Sequence, residues 1–69
     1  MPKAEIKNDI RGLRFRHGEM TQQELADRIG CTRQTVIMLE QGRYVPSLAL
    51  ALKIGQVFGM SVEDIFTLM

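Results

Sequence analysis

A chain of 69 residues, 45% hydrophobic and 25% charged, suits one small core and is too apolar for disorder. Its net charge of +1 counts against a strong nucleic-acid binder, but residues 1–47 hold eight of the nine Lys and Arg, and the balance is neutral. One cysteine excludes an intrachain disulfide, and no run approaches the ~18 to 20 apolar residues of a membrane span or the core of a signal peptide, which points to the cytoplasm and to no membrane partner.

Breaker residues divide the chain into five helical pieces. The first spans 5–17, with Ile6, Ile10 and Leu13 at helical spacing, and ends near Gly18. Thr21 caps the second, and Glu24 completes a capping box; Leu25, Ala26 and Ile29 form its apolar stripe, and Gly30 ends it. Thr32 caps the third, which ends at Gly42. After the turn Arg43-Tyr44-Val45-Pro46, a fourth helix starts behind Ser47 and turns Leu48, Ala51, Ile54, Gly55 and Phe58 inward, stopping at Gly59. Ser61 and Asp64 open a short fifth helix with Val62, Ile65 and Phe66 facing in. No segment alternates as a strand does, so the expectation is an all-α, compact five-helix domain over residues 1–69.

Residues 21–42 thus read as two short capped helices joined by one sharp turn, a helix-turn-helix that presents its second helix to the major groove of DNA. At about 100° per residue, Val36 and Leu39 share the inner side of that helix, while Gln34, Ile37, Met38 and Gln41 face outward. Base edges are met mainly by its N-terminal residues, here Arg33, Gln34 and Thr35. Arg bridges O6 and N7 of guanine, Gln bridges N6 and N7 of adenine, and Thr offers a methyl suited to thymine. An isolated Arg-Gln-Thr is more often a solvated face; the flanking helix, turn and helix reverse that. Met38, one turn below Gln34, either touches a thymine methyl or is covered by a partner. Groove contact is the reading adopted for Met38, and Ile37 is left open.

Gln22 and Gln23 occupy the first turn of the second helix, where free N–H groups and the dipole favour a phosphate. Arg43 and Tyr44 follow the reading helix and reach the next phosphate, and Arg16 does so from the first helix. Solvation is the competing reading for all five, and it is weakest for Gln22 and Arg43.

These residues resemble the Cro and phage-repressor (XRE-type) family of regulators from about Ile6 to Phe66. The resemblance is carried by Thr21-Gln22-Gln23-Glu24-Leu25-Ala26, Thr32-Arg33-Gln34-Thr35-Val36, Leu39-Glu40-Gln41-Gly42-Arg43 and Pro46-Ser47-Leu48-Ala49-Leu50-Ala51-Leu52-Lys53-Ile54. It implies a λ-repressor-like domain whose third helix reads DNA, normally as a symmetric dimer on a palindromic operator. By the same likeness Gln22 and Arg43 hold phosphates, Thr32 to Thr35 read bases, and Arg14 pairs with Glu40, which removes a negative charge from the DNA face. Met38 stands where relatives often carry a small or polar residue, so base preference does not transfer. Cys31 replaces a small apolar residue and reads as a packed, inert thiol.

His17 suits the C-terminal end of the first helix, where a positive charge is favoured. With no second histidine and no nucleophile constellation, neither an enzyme, a metal site nor any cofactor is expected. One reading helix covers only ~4 to 6 base pairs, too few to single out a genomic site. Two copies ~34 Å apart resolve this. Leu50, Val57, Phe66, Leu68 and Met69 are the apolar residues in excess of the core, which suggests a homodimer formed through a tail at about 61–69. The leading reading is a sequence-specific double-stranded DNA-binding regulator acting as a repressor. The alternative is an antitoxin with autoregulatory DNA binding; contact with a toxin or RNA polymerase is a secondary expectation.

Overall fold

The computed structural model describes residues 6–68, so residues 1–5 and Met69, a member of the expected dimer surface, lie outside the described residues. Its elements are β1 (Ile6–Asn8), α1 (Ile10–Arg16), α2 (Gln22–Ile29), α3 (Arg33–Glu40), α4 (Leu48–Phe58), α5 (Val62–Ile65) and β2 (Phe66–Leu68). The five helices are present, but the fold is not strictly all-α. β1 and β2 form an antiparallel pair in the register Ile6 to Leu68, Lys7 to Thr67 and Asn8 to Phe66.

The spacing of Ile6, Ile10 and Leu13 also fits a helix, yet α1 begins only at Ile10. Asn8 is the reason. Its Oδ1 accepts the Ile10 N–H at 3.1 Å, a local bond that competes with helix continuation. Upstream of it the chain alternates, Ile6 and Asn8 half-buried and Lys7 exposed, and so suits a strand. At the other end, Phe66 takes extended backbone angles (φ −113°, ψ 138°), closing α5 after four residues. A two-stranded ribbon is marginal alone. Here Phe66 packs on the core and supports it.

Caps set the remaining boundaries. Thr21 and Glu24 form the expected capping box. Thr32, Ser47 and Ser61 each accept a backbone N–H three residues on. α3 ends in a Schellman motif: Gly42 has φ +72°, its N–H reaches the Leu39 carbonyl at 3.0 Å, and Arg43 N–H reaches Met38 at 2.9 Å.

Ile10, Leu13, Leu25, Ile29, Val36, Leu39, Ile54, Phe58 and Ile65 interlock as the core, joined by Met20 from the loop after α1. Three corrections to the sequence reading concern this core. Leu48, expected inside, is 72% exposed. Val62 and Phe66, also expected inside, are only half-buried. Leu50, Val57 and Phe66, counted as surplus, pack against the core, leaving Leu68 as the one fully exposed described member of the supposed dimer surface.

Gly55 marks where α4 meets the turn into α5. A Cβ built there would sit 2.6 Å from the Met60 backbone carbonyl oxygen, which cannot swing away as a side chain would. Gly55→Ala is therefore expected to destabilise the fold by ~1–3 kcal/mol in urea unfolding, despite the better helix propensity of Ala. An unchanged midpoint would show that this turn yields freely.

Candidate nucleic-acid interface

α3 is held from below and presented above. Val36 and Leu39 are fully buried, which fixes the rotation of the helix. Arg33 and Gln34 are consequently exposed, and Thr35 and Met38 half-exposed. Thr32 Oγ1 accepts the Thr35 N–H at 3.3 Å and lies 3.0 Å from Thr35 Oγ1. Both hydroxyls are thus engaged in shaping the first turn, which leaves their methyl groups and the long Arg33 and Gln34 side chains as the outward chemistry.

The far end of α3 is tied at two points. Arg14 Nε and Nη2 donate to the two Glu40 carboxylate oxygens, at 2.5 and 3.0 Å, and Nη1 donates to the Met20 carbonyl at 2.8 Å. Gln22 Nε2 donates to the same carboxylate at 3.1 Å. One carboxylate therefore joins α1, the start of α2 and the end of α3. It also neutralises Glu40, so the face offered by α3 carries Arg33 without an opposing free acid.

The second tie is Asn8, which the sequence reading passed over. Its Nδ2 donates to the Leu39 carbonyl at 2.8 Å while its Oδ1 starts α1. No local pattern signals this bond, because its ends lie 31 residues apart. Asn8→Ala is expected to cost ~1–2 kcal/mol of stability, measured by thermal or urea unfolding. A loss under ~0.3 kcal/mol would mean that water replaces the bond fully.

A surface depression lies between the start of α2 and the outer side of α3, with Gln22, Gln23, Arg33, Ile37 and Arg11 on its walls. Ile37, left open by the sequence, is part of this wall. Arg11 was not singled out by its position in the chain; only the packing of α1 against α2 and α3 brings it beside Gln22 and Arg33. Arg14 and Glu40, which also line it, offset each other, so the Arg11 and Arg33 guanidinium groups and the free N–H groups of the α2 N-terminus leave the depression with an excess of positive charge. Gln23 also bonds Asp27 on its own helix at 2.9 Å.

Arg16 is placed differently. It lies about 200° around α1 from Arg14. It makes an exposed ion pair with Asp9 at 2.9 Å. Arg43 and Tyr44 are exposed just beyond the α3 end cap. Partial burial pushes the Cys31 thiol up from its ordinary value, and its Sγ lies 3.5 Å from the Thr32 carbonyl. Alkylation of Cys31 by iodoacetamide at neutral pH is expected to be slower than for a free thiol and to accelerate as pH rises. A rate equal to free cysteine would overturn this. Among the described residues no cluster of three or more His, Cys, Asp or Glu could hold a metal, and no helix is long and apolar enough to cross a membrane.

Two capped helices, a turn fixed by Gly30 (φ +72°) and an outward second helix define a helix-turn-helix unit. A family model described as helix-turn-helix matches residues 15–65. The chain is 51% identical over 63 residues to the uncharacterised HTH-type transcriptional regulator YgzD of Bacillus subtilis, covering 91% of this chain and 94% of that one. An uncharacterised HTH-type transcriptional regulator of Methanocaldococcus jannaschii is 48% identical over 61 residues, 88% and 91% of the two chains. The protein belongs to the XRE-type helix-turn-helix family of DNA-binding transcriptional regulators. Its fold is shared with a crystal structure of a candidate DNA-binding protein from Bacteroides fragilis, with TM-score 0.75 and 18% identity over 90% of this chain and 98% of that one.

Proposed function

We propose that this protein is a repressor that binds an inverted-repeat operator as a homodimer and blocks promoter DNA by occupying it. The observation that carries the reading is the exposure of Arg33 and Gln34 at the capped start of a helix whose other side is fully buried. Such a helix enters the major groove N-terminal end first. Arg33 and Gln34 then read bases by bidentate hydrogen bonds, and the Thr32, Thr35 and Met38 apolar groups meet thymine methyls. Gln22, Gln23 and the α2 N-terminus take a backbone phosphate, with Arg11 beside them. Arg43 and Tyr44 hold another. Arg16, paired with Asp9 on the far side of α1, is left out of this set.

One such helix reads too few base pairs for a genomic address, which is why a twofold pair is part of the reading. Selection of bound sites from random duplexes tests it. The expected product is an inverted repeat with half-site centres ~10 base pairs, or ~34 Å, apart. Enrichment of no sequence, or of a lone half-site, contradicts it.

A further inference from the structure

We infer that Asn8 is a positioning residue for DNA reading: its bond to the Leu39 carbonyl sets the tilt at which α3 offers Arg33 and Gln34, and the β1–β2 ribbon holds Asn8 in place to do so. The inference rests on the function proposed above, in which α3 meets base edges, and names the residue that aims it. Val36 and Leu39, both fully buried, fix how α3 is turned about its own axis. They do not by themselves fix the direction of that axis, because the two seats lie within one turn of each other. The ends decide it. At the start, the Cys31 N–H bonds the Ala26 carbonyl at 3.0 Å and ties the turn to α2. At the far end, the Glu40 carboxylate acts through a long, rotatable side chain. Asn8 grips the main chain itself. Among the described residues, its 2.8 Å bond to Leu39 is the one hydrogen bond from another element to the α3 backbone.

Leverage makes that bond count. Leu39 and Arg33 each lie three residues from Val36, ~4.5 Å along the helix axis. A shift of ~1 Å at Leu39 about the Val36 seat therefore moves Arg33 by about as much in the opposite sense, whereas bidentate contacts tolerate only roughly 0.5 Å. Asn8 is held firmly enough to prevent this. Its Oδ1 accepts the Ile10 N–H at 3.1 Å, which fixes the amide so that Nδ2 faces Leu39. It stands opposite Phe66 in the ribbon, and Phe66 packs on the core. The Ile6 carbonyl lies 3.9 Å from the place a Cβ would take on Gly42, so β1 runs against the end cap of α3. Residues 66–68 thereby brace the DNA-reading helix through a single side chain.

The test compares wild type, Asn8→Ala, Asn8→Ser and a core control, Ile54→Val, at a temperature where circular dichroism shows them folded. Ser keeps an acceptor for the Ile10 N–H, but its shorter side chain leaves Leu39 without a donor. Should Asn8→Ala unfold, Asn8→Ser carries the comparison. The Asn8 variants are expected to lose ~3- to 30-fold in the ratio of affinities for the selected operator and an unrelated duplex, with discrimination fading at the base pair Arg33 reads. The salt slope should stay as in wild type, since no phosphate contact is removed. Ile54→Val lowers the urea midpoint and should keep the wild-type ratio, which separates aim from stability. In spectra of the DNA-free proteins, the Arg33 to Thr35 amides should shift in Asn8→Ser and not in Ile54→Val. An unchanged ratio in the Asn8 variants, full recovery in Asn8→Ser, an equal loss in Ile54→Val, or unmoved Arg33 to Thr35 amides would overturn the inference. A wild type that prefers no duplex would instead overturn the proposed function, and the DNA-free spectra still decide whether Asn8 sets the tilt of α3.

Discussion

Replacing Glu40 by Ala is expected to remove about 3–5 kcal/mol of folding stability. The Arg14 and Glu40 side chains are only 14% and 8% exposed, so this is a largely buried ion pair and not a surface bridge. Removing the carboxylate leaves the Arg14 guanidinium with the Met20 carbonyl as its named partner and frees the Gln22 amide. A chain of this length commonly has a total stability of roughly 3–10 kcal/mol. The variant should therefore be substantially unfolded at physiological temperature, with a far lower urea midpoint. Glu40→Gln keeps the shape and loses the charge, and should fall between. Replacing both partners by apolar residues, as in Arg14→Met with Glu40→Leu, should recover most of the loss, because no charge is then stranded. A loss below ~1 kcal/mol for Glu40→Ala would place the pair among exposed bridges, contrary to its burial.

Arg33→Ala is expected to weaken operator binding by ~1–3 kcal/mol and to relax preference at one base pair of each half-site. Its guanidinium extends from the first turn of a helix that Val36 and Leu39 hold in fixed rotation, so it cannot move to another base without unseating the core. Arg43→Ala and Arg11→Ala should behave differently. Each should weaken all duplexes alike and lower the salt slope of binding by about 1. Binding measured against a panel of single-base operator variants at several salt concentrations separates the classes. A uniform loss from Arg33→Ala would make Arg33 a phosphate contact.

Local rules made much of this molecule legible from its residues. The caps at Thr21, Thr32, Ser47 and Ser61 act within three residues, and so the starts of α2 to α5 follow from the sequence. The outward set on α3 follows from the burial of Val36 and Leu39. What escaped the sequence depends on distant partners. β1 exists because residues 6–8 pair with residues 66–68, and three residues are too few to show alternation. Arg11 gains meaning only when α1 lies beside α2, and Asn8 only when it meets Leu39. α4 is apolar on nearly every side at its start, so its pattern does not say whether Leu48 or Leu50 faces the core. Ala51, Ile54, Gly55 and Phe58 are buried, and Leu48 shares their side of the helix but stands at its first position, where it is 72% exposed.

The central claim is that the face formed by the start of α3 and the start of α2 meets DNA. Amide shift changes on titrating isotopically labelled protein with its selected duplex test it most directly. The largest changes are expected at residues 22–24, 32–35 and 43, with the Arg33 and Gln34 side-chain resonances moving with them. Changes concentrated elsewhere, with residues 32–35 unmoved at saturation, would contradict the account.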